Sequence, residues 1–317
     1  MNERIDRKMY RRKRKRKKRK IILLCFSIII LVFLLGASYV YFQYQAGLEK
    51  SADDSVILDQ NVEFNGAKLK KGITNVLLLG TDARGEEISR TDTIMVAQYN
   101  SDNNEVKILS IMRDSYVNIP GHGSQKINAA YAIGGPELLR KTLKENFDID
   151  IQYYSLVDFK GFSSIIDEVF PNGVKMDIEK EMVKGINPPL HPGMQKLDGD
   201  QLLSYVRFRK DRESDFGRVR RQQEVLKLLT DEMTDVKGVM KIPKTLGIIK
   251  PFIKTNIKTS QVLSIATSVL GEKNKNIESM RIPLDHTYTD EYYDGVGLVL
   301  DLDVSENKKA IKDFLSE

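Results

Sequence analysis

Ile21 to Val40 contains no charged residue, and it directly follows a tail (residues 1–20) holding 13 Lys and Arg against two acids, Glu3 and Asp6. No further charge appears before Glu49. Twenty helical residues span roughly 30 Å, the thickness of a bilayer's hydrocarbon core. Tyr39, Tyr41, Phe42 and Tyr44 add aromatic rings suited to the far interface. The pattern divides the chain before any fold is considered. It predicts a basic cytoplasmic tail over 1–20, a single transmembrane helix over 21–41, and export of everything beyond, because the basic flank stays inside. The apolar run is longer than a usual signal-peptide core, and no clear small-x-small cleavage site follows it. The tail's cations suit an anionic inner leaflet and require no nucleic acid.

The whole-chain charge of +6 therefore misleads. The tail alone contributes +11, so residues 21–317 sum to −5. Basic residues of the exported part act as local clusters. The single cysteine, Cys25, lies in the apolar run, so no intrachain disulfide forms and a core must stabilise the exported region. His122, His191 and His286 are scattered without zinc-ligand spacing.

Residues 45–71 are polar with little periodicity, and 42–71 is expected to form an extracellular stalk, with one folded domain over 72–317. Asn75–Gly80 is an apolar run with the pattern of a strand buried on both faces. Thr93–Tyr99 and Val106–Met112 predict two more strands, joined by a turn at Ser101-Asp-Asn-Asn104. Helices are predicted from Pro136 to about Asn146 and over Phe162–Val169. An Asn172-Gly173 turn then leads to a strand at Val174–Ile178. A helix over Asp198–Tyr205 passes into an extended Arg207–Arg209 segment, and the longest helix runs from Gly217 to about Met233. A strand at Leu298–Asp303 and a helix at Glu306–Leu315 close the chain. The alternation predicts an α/β domain, a mixed central sheet with helices on both faces in three layers.

If the first three strands run up, down and up, one rim of the sheet collects Asp82, Arg84, Arg90, Asp92, Arg113 and Asp114. Ligands of open α/β sheets favour such strand ends. Residues 205–223 sharpen this reading. They hold six arginines and one lysine, although lysines outnumber arginines 23 to 11 over residues 71–317. Arginine's planar fork grips phosphate or carboxylate in two places. Arg207 and Arg209, two apart in an extended stretch, face one way. On the next helix Val225, Leu226, Leu229 and Met233 mark the apolar face. Arg218 and Gln222 lie on that face, Arg221 lies at its margin, and Arg220 pairs with Glu224 outside. Charges on a core-facing stripe need a partner. Bound phosphate is one, aided by the helix N-terminus; an internal carboxylate such as Asp215 is the other.

Aspartates among arginines suit a divalent metal shared with phosphate oxygens, with Asp82 and Asp92 as its ligands. No Gly-x-x-x-x-Gly-Lys-Ser/Thr loop is present, and an exported, tethered phosphate site points to lipid-linked phosphate.

The stretches Val76-Leu-Leu-Leu-Gly-Thr-Asp-Ala-Arg84, Ser89-Arg-Thr-Asp-Thr93, Ser110-Ile-Met-Arg-Asp114, Lys126-Ile-Asn-Ala-Ala-Tyr131, Leu197-Asp-Gly-Asp-Gln-Leu-Leu-Ser-Tyr-Val-Arg-Phe-Arg209 and Asp215-Phe-Gly-Arg-Val-Arg-Arg-Gln-Gln223 occur in this order. Together they resemble the LytR-CpsA-Psr family of bacterial envelope proteins over nearly the whole chain. The wording at Ile119-Pro-Gly-His-Gly123 and Gly134-Gly-Pro-Glu-Leu-Leu-Arg140 is most similar to its Gram-positive MsrR/TagV branch. The resemblance implies a phosphotransferase. It would move an anionic glycopolymer of teichoic acid or capsule type from undecaprenyl diphosphate to peptidoglycan, at the outer face of the cytoplasmic membrane, with a magnesium-type ion (Mg2+ or Mn2+). It further implies metal binding at Asp82 and Asp92. Arg84, Arg90, Arg113, Arg207, Arg209, Arg218 and Arg221 would contact the diphosphate or support such contacts, with Gln222 and Asp215 as further site residues. Lys126 and Asn128 lie in a motif of less settled role. Asp92, Asp114 and Asp215 are all candidates for the base. Met112 stands where many members have proline. A lipid-diphosphate hydrolase and a non-catalytic regulator or transcription attenuator are the alternative readings.

Overall fold

The computed structural model describes residues 26, 30–50, 62–70, 72–82, 91–233, 236–271 and 277–316. Strand β1 (Ile73–Thr81) alternates buried and half-buried positions along its length. It pairs antiparallel with β2 (Thr91–Asn100), which pairs antiparallel with β3 (Glu105–Ile111), the expected up-down-up meander. Asn104 closes the β2–β3 turn at φ 57°, a left-handed conformation asparagine tolerates well. On the other side β1 pairs parallel with β6 (Tyr153–Asp158). With β9 (Ile253–Thr255) and β10 (Glu278–Ile282) the six-stranded mixed sheet has the order β10-β3-β2-β1-β6-β9.

Leu77 and Leu79 of β1, Ile94 and Val96 of β2 and Leu109 and Ile111 of β3 point to one face. There they pack on Leu139, Leu143 and Phe147 of α2 (Ile127–Phe147) and Ile311 of α8 (Val304–Ser316). α2 is kinked at Gly134–Gly135, and its second part starts at Pro136, where the missing N–H costs nothing. The opposite face meets α3 (Phe159–Val169), α4 (Gly199–Arg207) and α5 (Ser214–Met233). Asp158 caps α3 by accepting from the Gly161 N–H, and Asp198 with Gln201 forms a capping box at the start of α4. These helices build a second core with the hairpin β7 (Val174–Ile178) and β8 (Gly193–Leu197). A four-stranded sheet of β11 (Tyr288–Tyr293), β12 (Gly297–Leu302), β4 (Ser115–Ile119) and β5 (Gly123–Lys126) lies beyond the end of β3.

Two expectations change. The Asn75–Gly80 run is buried on one face only, because Leu78 and Gly80 face a cavity. The helix before the Arg207–Arg209 segment includes Arg207, because the Phe208 N–H closes a tight last turn onto the Tyr205 carbonyl.

A helix over residues 30–50, α1, carries the chain past the predicted end of the apolar segment. The first part of the expected 42–71 stalk is thus helical, and it rests on α6 (Val236–Ile249). A Cβ on Gly47 would stand 2.2 Å from the Lys244 carbonyl oxygen, and one on Gly247 2.2 Å from that of Tyr44. Two glycines thus let the backbones touch, and Lys50 pairs with Glu168 at 2.5 Å. Gly247→Val is expected to wedge the helices apart and to destabilise by about 1–3 kcal/mol, as overpacking does. Thermal unfolding would read this, and an unchanged midpoint would argue against the crossing. Among the described residues no helix is long and apolar enough to cross a membrane. The tail over 1–20 and residues 21–25 and 27–29 of the predicted span lie outside the described residues.

Candidate active site

Between the sheet and α3–α5 lies a cavity of about 320 Å³. Its interior is apolar: Leu78 and Met95 from the sheet, Phe162 from α3, Leu203 from α4 and Val225 and Leu226 from α5. Its mouth is charged, with Asp92, Arg207, Arg209, Lys210 and Arg218 in the wall. The β1–β2–β3 register explains the convergence. Gly80 faces Thr93 and Ile94 faces Ile111, so the end of β1, the start of β2 and the end of β3 share one rim.

Arg113 sits at the centre of this rim. Its guanidinium donates to Asp92 and stands 3.4 Å from Asp114 and 3.8 Å from Asp215. Burial works against its charge, yet Asp215, Asp92 and Asp114 outweigh that cost and raise its pKa above the usual arginine value. The Asn128 N–H donates to the Arg113 carbonyl, and Lys126 pairs with Asp114 at 2.9 Å. Met112 is buried against Val219 and Leu300, so the side chain standing in proline's place fills core behind the Arg-Asp pair.

From α5, Arg218 donates to Asp215 at 2.9 Å and stands 3.8 Å from Asp92. It is 3 % exposed. Burial pushes its pKa down to about 10; Asp215 and Asp92 oppose the shift, while Arg113 and Arg209 add repulsion. Its charge persists at neutral pH. The Nε groups of Arg113 and Arg218 and one oxygen of Asp215 are buried without a hydrogen-bond partner among the described residues. Arg207 stacks 4.2 Å over the Phe159 ring, with Asp82 3.6 Å away, and Arg209 stands 3.7 Å from Asp215. Gln222 lines the cavity and donates to the Thr93 hydroxyl at 2.9 Å.

Nine expected residues thus meet here: Asp82, Asp92, Arg113, Asp114, Arg207, Arg209, Asp215, Arg218 and Gln222. Arg84 and Arg90 lie outside the described residues. Arg221, expected as a diphosphate contact or its support, does not reach the cavity. It is fully buried, paired with Asp211 at 3.1 Å and donating to the Phe208 carbonyl at 2.5 Å. Its role is to hold the turn that carries Arg207 and Arg209. Arg220 and Glu224 stand 3.7 Å apart on the outside of α5, as expected. Sequence reading missed Thr93, Lys210 and Phe159 in the wall, and Asp211 as the partner of Arg221. Phe159 follows the end of β6, which is parallel to β1, so strand-end logic could have found it.

Four arginines and four aspartates nearly balance, and several of their contacts are long. The 3.6 Å pair of Arg207 with Asp82 and the 3.7 Å pair of Arg209 with Asp215 leave these two guanidinium groups ready to turn to another anion, whereas Arg113 and Arg218 are held more closely by Asp92 and Asp215. Asp82 and Asp92 offer hard oxygen ligands at the rim, at 34 % and 28 % side-chain exposure. Among the described residues no three His, Cys, Asp or Glu side chains cluster as a metal cage. Two carboxylates are as many protein ligands as a magnesium-type ion usually takes when phosphate oxygens and water complete its shell.

The mixed sheet with helices on both faces is the fold of solved structures from one protein family. The chain belongs to the LytR_cpsA_psr family, whose model matches residues 38–312. It is 44 % identical over 282 residues to the regulatory protein MsrR of Staphylococcus aureus, covering 88 % of this chain and 85 % of that protein. It is 34 % identical over 231 residues to the polyisoprenyl-teichoic acid–peptidoglycan teichoic acid transferase TagU of Oceanobacillus iheyensis, covering 71 % of each. Among solved structures, Bacillus subtilis TagV superposes with a TM-score of 0.67 at 28 % identity, covering 78 % of this chain and 99 % of that one. YwtF (TagT) with bound octaprenyl pyrophosphate lipid superposes at 0.60 and 28 % identity, covering 83 % and 99 %.

Proposed function

We propose that this chain transfers an anionic glycopolymer, of teichoic acid or capsule type, from undecaprenyl diphosphate to peptidoglycan, forming a phosphodiester. The observation that carries the reading is the joining of an apolar cavity to a rim of four arginines, the shape of a lipid tail ending in a diphosphate. The relative named as a teichoic acid transferase and the family structure with a polyprenyl pyrophosphate support it. The protein is anchored by residues 21–41 with its domain outside the cytoplasmic membrane.

Leu78, Met95, Phe162 and Val225 would hold the first isoprene units and exclude water. Arg113, Arg207, Arg209 and Arg218 would bind the non-bridging oxygens, exchanging aspartate contacts for phosphate contacts and stabilising charge that grows in the transition state. Asp82 and Asp92 would hold a Mg2+ or Mn2+ ion, which when bound neutralises phosphate charge. The acceptor hydroxyl attacks the sugar-side phosphorus, a rim carboxylate takes its proton, and the bond to the lipid-side phosphate oxygen breaks. Polyprenyl monophosphate leaves, and no covalent enzyme intermediate forms.

The test is incubation of the full chain with a lipid-diphosphate glycan, peptidoglycan oligomers and magnesium. Product should contain both glycans, and turnover should fall sharply when the acceptor is omitted. Equal release of lipid phosphate without acceptor would indicate a hydrolase instead. Binding with no product at all would favour the regulator that the MsrR name describes.

A further inference from the structure

Residues 236–271 contain six lysines (Lys237, Lys241, Lys244, Lys250, Lys254 and Lys258) and no Asp or Glu, within a region (residues 21–317) that sums to −5. The segment folds as α6, a 3-10 turn at Lys250–Phe252, β9 and α7 (Thr259–Gly271). Lys241, Lys250 and Lys258 are exposed and Lys244 is half-buried. None of these four has a carboxylate partner among the described residues. Elsewhere lysines of this protein do pair with carboxylates, as Lys126, Lys144 and Lys180 show.

The position of this cationic segment is set by α1. Gly47 and Gly247 fix α1 on α6. Seven residues earlier, about 10 Å along the helix, Tyr39 and Val40 share a groove with Pro243 of α6 and Leu263, Ser264 and Thr267 of α7. Val40 ends the predominantly apolar Ile21–Val40 run, although no charge follows before Glu49, and α1 exposes Leu31, Phe33 and Leu35 before that point. The α6–α7 pair therefore flanks the anchor helix at the level where its apolar stretch stops and its tyrosines begin, which is headgroup depth. Lysines held there meet anionic lipid phosphates while their stems cover apolar surface.

We infer that the α6–α7 segment is a second membrane contact, a lysine-bearing surface that lies on the anionic bilayer beside the anchor. The inference rests on reading residues 21–41 as a membrane span. The same segment contributes Ile253 of β9 to the cavity wall, and its helix α6 packs on α3, which contributes Phe162. Contact with the bilayer thus places the apolar cavity beside its lipid supply. An anionic glycopolymer could also meet lysines. The placement of α6–α7 at the end of the apolar run favours the bilayer.

The test uses the full chain with Cys25→Ser, which removes the single cysteine, and a nitroxide on Ser260→Cys, an exposed α7 position. A second chain carries the label on Tyr292→Cys, which is 70 % exposed on β11. Both are reconstituted in equimolar phosphatidylglycerol–phosphatidylcholine vesicles. The expected result is shielding of the 260 label from a water-soluble nickel chelate, with none at 292, and loss of that shielding in phosphatidylcholine alone. Lys241→Gln and Lys250→Gln should each lower the docked-to-undocked ratio about fivefold. Equal exposure of the two labels, in a chain that floats with anionic vesicles, overturns the second contact and leaves the anchor intact. Shielding that appears only on adding soluble poly(glycerol phosphate) overturns it in favour of polymer binding. A chain that does not float overturns the span and this contact together.

Discussion

Arg207→Ala lowers glycopolymer transfer by about 10²–10³-fold, the loss expected when one preorganised donor to a developing oxyanion is removed, and leaves the melting temperature unchanged. Arg207 is the clean probe because it combines exposure with a place in the cavity wall. Its side chain is 41 % exposed, and its contacts are the Phe159 ring and one long ion pair to Asp82. Arg207→Lys keeps the charge but loses the planar fork, so it should recover only part of the rate. Arg113→Ala should lose at least as much activity, but it also leaves Asp92, Asp114 and Asp215 without their shared cation. Turnover by Arg207→Ala equal to that of the parent would remove this residue from the diphosphate grip, and the same result for Arg113→Ala would remove the site.

Arg221→Ala is expected to destabilise the domain by about 3–5 kcal/mol, the cost of stranding one partner of a buried ion pair. Arg221 is fully buried and Asp211 is 9 % exposed at its side chain. Lys180 at 3.0 Å would neutralise Asp211 only in part. The Phe208 carbonyl also loses its donor, so the turn bearing Arg207 and Arg209 loosens. Denaturant unfolding followed by circular dichroism measures the loss. A stable but inactive Arg221→Ala would instead assign Arg221 a direct part in binding.

The contrast between these two arginines shows how far a linear reading reaches. The meander of β1, β2 and β3 was legible because each strand is a short apolar run set off by turn residues. From it followed the shared rim and the meeting of Asp92, Arg113 and Asp114. The α5 period put Arg218 and Gln222 on the inner face, where both now line the cavity. Strands β5 and β11 were not legible, because Gly-Ser-Gln-Lys and Tyr-Thr-Asp-Glu-Tyr-Tyr carry no apolar alternation. Helices α6 and α7 were obscured by Pro243 and by β-branched residues that suit strands as well.

Sequence alone determined the family, the mixed α/β class and the eight Asp and Arg residues that meet at the charged rim among the described residues, because period and motif order are local properties. Tertiary structure decided that Leu78 faces a cavity while Leu77 faces the core, and that Arg218 turns to the rim while Arg221 turns to Asp211. It also decided that Gly47 meets Gly247, 200 residues away. Whether a side chain meets a void, a counter-charge or another backbone depends on which distant segment packs opposite it, and no period within one segment encodes that partner.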